Sequence, residues 1–248
     1  TEYATHTWPN NTLSPTDSVR LQLDFVGRLT SSFWTSISVQ FLTVRFTIAG
    51  DDVHAVAADE TRMGLLPGET VPLARLLEGM MIVSGNDAAL AIARHLDGSQ
   101  GAFLQRMNHH ARQLGLRDTG FASVSGITTP HHASSARDMA VLAAHLLADH
   151  PQILAITAQR AFAHGRFSRT NQNALLGDEG VDGLKTGYTQ AAGFCLAATA
   201  CRGLPGQAQP VRLITVVLGS DSRQARDARV REQLATGFAT LAGAVIEA

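Results

Sequence analysis

The chain has 248 residues, 45% of them apolar and 17% charged, with a net charge of -1 at neutral pH. That is enough apolar material for one large core or two smaller ones, and too little net charge for an electrostatic footprint on nucleic acid. No apolar run approaches the roughly eighteen residues of a membrane span, and no basic segment followed by an apolar one opens the chain, so neither a transmembrane segment nor a signal peptide is expected.

The first 45 residues hold both tryptophans and fourteen Ser or Thr, but one alanine, Ala4, and one glycine, Gly27; the remainder is dense in alanine. Alternating apolar positions at Val19, Leu21 and Leu23, and again at Ile37, Val39 and Phe41, suggest strands. The break in composition divides the chain into an atypical segment, 1–45, and a domain, 46–248. We expect the first segment not to be the native N-terminus of that domain.

From Asp51 to Gly64 the polar sequence reads as loop and short turns, and Pro67-Gly68 as a turn. Thr70 followed by Pro72 is a helix start signal, and Leu73, Leu76, Leu77 and Met80 then recur at helical spacing. Gly85 is expected to break this helix, with Asn86 or Asp87 capping the next, whose apolar face is Leu90, Ala93 and Leu96. Ser99 caps a further helix bearing Phe103, Met107, Ala111 and Leu114, and Gly115 ends it. After a loop over 121–133, Ser135 with Asp138 three residues on resembles a capping box for a helix carrying Met139, Ala143 and Leu146. Pro151 closes that unit, and 152–158 reads as a short helix.

The period then changes. Phe162 to Phe167, Leu184 to Tyr188, Phe194 to Cys201 and Val211 to Gly219 read as strands, with Gly203-Leu204-Pro205-Gly206 joining the last two. Val230, Leu234, Phe238, Leu241 and Val245 return to helical spacing. Helices, then an antiparallel sheet, then a closing helix make an α+β arrangement. Cys195 and Cys201 on one strand would lie roughly 20 Å apart, too far to bridge, and are expected as buried thiols. The pairs His109-His110 and His131-His132 have no carboxylate at ligand spacing, so no metal or other cofactor is expected.

Two runs carry chemistry. Val83-Ser84-Gly85-Asn86-Asp87 lies at the helix-to-helix corner, and Val181-Asp182-Gly183-Leu184-Lys185-Thr186-Gly187-Tyr188 contains the only lysine of the chain. Every other fixed cation is arginine, which stays protonated, so the single lysine marks a place that needs a compact ammonium able to lose its proton. Each tripeptide alone has a plain alternative: a helix C-cap followed by an N-cap, or an exposed strand end.

Taken together, with Leu66-Pro67-Gly68, Ser134-Ser135-Ala136-Arg137-Asp138 and Asn171-Gln172-Asn173 around them, the two runs resemble two of the three motifs of the D-alanyl-D-alanine carboxypeptidases, peptidase S11, from about Phe46 onward. The resemblance implies the DD-peptidase/β-lactamase-like fold, an antiparallel sheet flanked by helices beside a helical region, with a groove between them. Ser84 would help relay a proton to the leaving amine and Asn86 would bond the substrate backbone. Lys185 would tune the Ser84 hydroxyl, Thr186 would meet the substrate carboxylate beside Gly187, and the Tyr188 N–H would form half of an oxyanion hole. Arg226 matches an arginine that reaches the same carboxylate.

The implied substrate is a peptidoglycan stem peptide ending in D-Ala-D-Ala, with β-lactams as inhibitors and the periplasm or outer face of the cytoplasmic membrane as location. The third motif, Ser-x-x-Lys, is not in these 248 residues, because Lys185 is the only lysine. Ser18-Val19-Arg20-Leu21 has leucine at the base position, and Arg20 cannot act as a base. The chain as written is therefore expected to be nearly inactive, since loss of a catalytic unit leaves only about 10³ to 10⁴ over the uncatalysed rate. A non-catalytic binder of peptidoglycan peptides is the alternative. A β-lactamase is a second, weakened by Ser-Gly-Asn in place of Ser-Asp-Asn and by the lack of a glutamate loop, Glu179 lying too near the Lys185 strand.

Overall fold

In the computed structural model, residues 5–7 and 44–246 are described. The strands expected around Val19 to Leu23 and Ile37 to Phe41 lie outside them. Along the chain come β1 (Thr5–Thr7), β2 (Arg45–Thr47), α1 (Gly50–His54), β3 (Thr70–Pro72), α2 (Leu73–Val83), α3 (Asn86–Asp97), α4 (Gln100–Gln113), α5 (Ala136–Asp149) and α6 (Ile153–Thr157). Beyond these lie β4 (Ala161–His164), β5 (Phe167–Thr170), a 3-10 turn (Asp178–Gly180), β6 (Val181–Thr189), β7 (Gly193–Arg202), β8 (Val211–Ser220) and α7 (Arg223–Ile246).

An antiparallel four-stranded sheet, ordered β1-β8-β7-β6, forms the centre. Its alternation sends side chains to both faces. Leu196, Ala198, Leu213 and Val217 pack against Val230, Leu234 and Phe238 of α7, whereas Ile214 and Val216 pack with Ala136, Ala140 and Ala143 of α5. The small residues of β7 let both helices approach the sheet, and each large side chain removed from water contributes about 1.5–3 kcal/mol. A third cluster, Phe46, Met63, Leu65, Val71, Leu76, Ile82, Ala88, Ile92 and Phe162, joins the β2–β3 ladder to α2, α3 and the β4–β5 hairpin. The α+β architecture read from the sequence is the one observed.

Local differences have local causes. The 51–64 stretch contains the short helix α1, which Asp52 fastens from its buried position by accepting Arg94 Nε and Nη2 at 2.7–3.1 Å. Thr70 does not start a helix but pairs with Thr47 in β3, leaving Pro72 as the cap of α2. The single strand expected over 162–167 is a hairpin, turned at Gly165, where φ is +54°. Ser135 does cap α5, accepting the Asp138 N–H at 3.2 Å, but the buried Asp138 carboxylate turns away to accept Asp118 N–H and Thr119 Oγ1, both at 2.8 Å. Cys195 and Cys201 are unbridged, and half-buried rather than buried.

Candidate active site

The corner between α2 and α3 is made by Ser84, not by the glycine beside it. Ser84 sits in the left-handed region, φ 57° and ψ 43°, and the Gly85 N–H closes the helix end on the Gly79 carbonyl at 3.0 Å. Glycine usually occupies such a position, and a side-chain-bearing residue there costs about 1–2 kcal/mol. The N-cap of α3 is Gly85, at φ -64°, rather than Asn86 or Asp87, and it has no side chain to make a cap.

Asp87 does something the sequence did not reveal. Fully buried, its carboxylate accepts the N–H groups of Met63 (2.9 Å), Gly64 (3.1 Å), Leu65 (3.1 Å) and its neighbour Ala88 (3.0 Å). This clamps the preceding loop under the corner. Gly79 makes room for it, since a Cβ there would sit 2.3 Å from Met63 Sδ. The same loop brings Glu60 to the site. Asn86 Nδ2 lies 3.4 Å from Glu60 Oε2, and the Asn86 N–H donates to the Thr61 carbonyl at 2.9 Å.

Opposite the corner runs β6, an edge strand of the sheet. Lys185 extends from it so that Nζ donates to Ser84 Oγ, 101 positions earlier in the chain, and to the Thr186 carbonyl at 2.6 Å. Among the described residues no carboxylate pairs with this ammonium. Burial alone lowers its pKa from 10.5 to about 8, since desolvation disfavours the charged form. Thr186 is half-exposed and Gly187 exposed, and the exposed ring of Tyr188 leans on Phe194 with centroids 4.4 Å apart. The loop over 121–133 meets the far end of the strand where Thr128 Oγ1 donates to Thr189 Oγ1 at 2.8 Å.

The structure thus brings Ser84 and Lys185 into contact, places Asn86 beside them on the corner, and carries Thr186, Gly187 and Tyr188 on the same strand. Arg226 stands apart. It lies in the first turn of α7, only 3% exposed, and donates from Nε (2.9 Å) and Nη2 (2.7 Å) to Asp227 Oδ1. No hydrogen bond joins it to Ser84, Asn86 or Lys185 among the described residues. Glu179 is engaged with Arg202, Nη2 to Oε2 at 2.7 Å. Among the described residues no group of three or more His, Cys, Asp or Glu has metal-site geometry, and no helix is long and apolar enough to cross a membrane.

The sequence and the fold resemble those of known proteins. The peptidase S11 family model, described as D-alanyl-D-alanine carboxypeptidase, matches residues 42–222, beginning just before Phe46 and ending ahead of α7. A D-alanyl-D-alanine carboxypeptidase DacA of Haemophilus influenzae is 37% identical over 183 residues, 73% of this chain and 45% of that protein. DacB2 of Mycobacterium tuberculosis is 33% identical over 174 residues, 67% of this chain and 59% of its own. Penicillin binding protein 5 of Haemophilus influenzae superposes with a TM-score of 0.75 at 33% identity, covering 84% of this chain and 60% of its own. The DD-transpeptidase of Streptomyces K15 gives 0.72 at 29% identity, with 80% of both chains covered. The chain spans about half the length of the first curated relatives it matches. With Ser-Gly-Asn and Lys-Thr-Gly facing each other in a fold shared with these enzymes, the chain belongs to the peptidase S11 family, that of the D-alanyl-D-alanine carboxypeptidases.

Proposed function

We propose that the protein is a serine-type D-Ala-D-Ala carboxypeptidase by lineage, whose 248 residues hold the proton-relay and carboxylate-binding half of the groove. The observation that carries this reading is the contact of Lys185 Nζ with Ser84 Oγ. A half-buried ammonium with no counter-charge among the described residues is suited to attract the terminal carboxylate of a peptide, and its lowered pKa lets it exchange a proton with the serine hydroxyl. In this reading Ser84 passes a proton to the departing D-Ala amine, Asn86 bonds the peptide backbone, Thr186 shares the carboxylate with Lys185, and the Tyr188 N–H faces the developing oxyanion. Arg226 joins them only by exchanging Asp227 for the substrate carboxylate.

The substrate is then a peptidoglycan stem peptide ending in D-Ala-D-Ala, met at the outer face of the cytoplasmic membrane, and β-lactams occupy the same groove. The nucleophile that would form the acyl-enzyme, the serine of Ser-x-x-Lys, is not encoded in these residues, so the chain binds this peptide without hydrolysing it. Each charge-assisted hydrogen bond contributes on the order of 1.5–3 kcal/mol, offset by ordering the peptide, which gives a dissociation constant of about a millimolar. Incubation with fluorescent penicillin followed by a denaturing gel is expected to show no covalent band; a band that survives boiling contradicts the missing nucleophile. Titration with an acyl-D-Ala-D-Ala peptide is expected to show binding that Lys185→Ala abolishes, and equal affinities would remove the assignment of the groove.

A further inference from the structure

The run Asn171-Gln172-Asn173 belongs to the family-like pattern, yet its side chains bond away from the Ser84 corner. Asn171 Nδ2 donates to the carbonyls of Thr157 (3.2 Å) and Gln159 (2.9 Å), while its Oδ1 accepts the Asn173 N–H at 2.9 Å. Asn173 is 4% exposed; its Oδ1 accepts the Leu175 N–H at 3.1 Å and its Nδ2 donates to the Gly183 carbonyl at 3.2 Å. Thr157, 1% exposed at the end of α6, completes the set by donating its hydroxyl to the Asp182 carbonyl at 3.1 Å.

Two successive carbonyls just upstream of Lys185 are therefore held by side chains from outside the sheet. They lie at the register shift between Val181 and Gly183, where pairing of β6 with β7 is interrupted. Such an irregularity leaves backbone groups without ladder partners and re-aims the residues beyond it. Gly183 has to be glycine for the strand to approach this closely, because a Cβ would lie 2.7 Å from Thr157 Oγ1. As β6 is an edge strand, its course past the irregularity is fixed by β7 on one side and by these two hydrogen bonds. In such constellations a misplacement of about 1 Å is enough to spoil the alignment of the groups that must meet.

We propose that Asn173 and Thr157 are positioning residues for Lys185: by holding the Gly183 and Asp182 carbonyls they set the course of β6 so that Nζ meets Ser84 Oγ. The inference rests on reading the Ser84–Lys185 contact as the working groove, but its test needs no substrate. Lys185 is the only lysine, so amine chemistry reports on it and on the α-amino group alone. Trace acetylation with acetic anhydride across the alkaline range, quantified at Lys185 by mass spectrometry, gives its titration midpoint, about 8 in the native protein.

Thr157→Val keeps the shape and removes the donor, and Asn173→Ala removes the other. Each is expected to release Lys185 toward water and raise the midpoint by about one pH unit, a tenfold change in the neutral fraction below it. Thr157→Ser keeps the hydroxyl and is expected to keep the native midpoint. Should Asn173→Ala fail to fold, the Thr157 pair decides. An unmoved midpoint in Thr157→Val, whatever its thermal stability, overturns the proposal, as does a Thr157→Ser midpoint displaced as far as that of the valine. Peptide binding unaffected by Lys185→Ala would strike the functional reading instead and leave the midpoint result intact.

Discussion

Two charged groups belong to this site, the buried Asp87 carboxylate and the half-buried Lys185 ammonium, and the protein treats them in opposite ways. The Asp87 carboxylate at the corner is met by the N–H groups of Met63, Gly64, Leu65 and Ala88, so its need for hydrogen-bond donors is met within the protein. The Lys185 ammonium on the facing strand has a serine hydroxyl and one carbonyl. A charge surrounded by fixed dipoles is scaffold, whereas one left short of partners stays ready to give up its proton or take an anion. The corner and the strand thus divide the work: one is built for position and the other for response.

The contrast breaks most clearly at the scaffold. Asp87→Ala strips four backbone donors of their acceptor in the core and is expected to destabilise the protein by about 4 kcal/mol, read as a lower urea midpoint at unchanged slope. A loss below about 1 kcal/mol would mean that the 63–65 loop finds other partners. Next comes the ion pair in the first turn of α7. Asp227→Ala leaves the buried Arg226 guanidinium without its carboxylate and is expected to cost about 3 kcal/mol in the same assay. It also frees the arginine, so if Arg226 can serve substrate, peptide affinity should rise even as stability falls. The smallest effect is at Ser84. Ser84→Gly relieves the left-handed strain and is expected to stabilise by about 1 kcal/mol while weakening peptide binding, because the hydroxyl facing Lys185 is gone. A destabilised glycine variant would show that the serine hydroxyl holds the corner rather than burdening it.

Much of this was open to a reader of the sequence. The helices α2, α4, α5 and α7 arise from apolar residues at period 3.6, and the Ser99 and Ser135 caps from local hydrogen-bonding chemistry. Lys185 stood out because arginine serves every other fixed cation. What escaped is tertiary. Gly85 drew attention as the helix breaker because glycine adopts positive φ freely, while the residue that does so is Ser84. Asp87 reads as a cap until its partners, 22 to 24 residues earlier in sequence, are brought beneath it. Glu60 carries no signal in its polar surroundings, and its place beside Asn86 depends on the loop that Asp87 clamps. The β4–β5 hairpin is missed because two four-residue strands around Gly165 leave too short an alternation to separate from one strand. Arg226 was expected toward the groove from its place in the motif order, but the adjacent Asp227 takes its guanidinium.

The central claim is that the Lys185 ammonium beside Ser84 recognises a peptide carboxylate, and the pH dependence of binding tests it most directly. Because burial lowers the Lys185 pKa to about 8, the ammonium is charged below that value and lost above it, well before a free lysine would titrate. Affinity for an acyl-D-Ala-D-Ala peptide, whose carboxylate is ionised throughout, should hold steady below about pH 7 and fall through a midpoint near 8, and Lys185→Met should bind weakly at every pH with no such step. Binding that persists to about pH 10 in the native protein, or a step of the same size in Lys185→Met, would contradict the account.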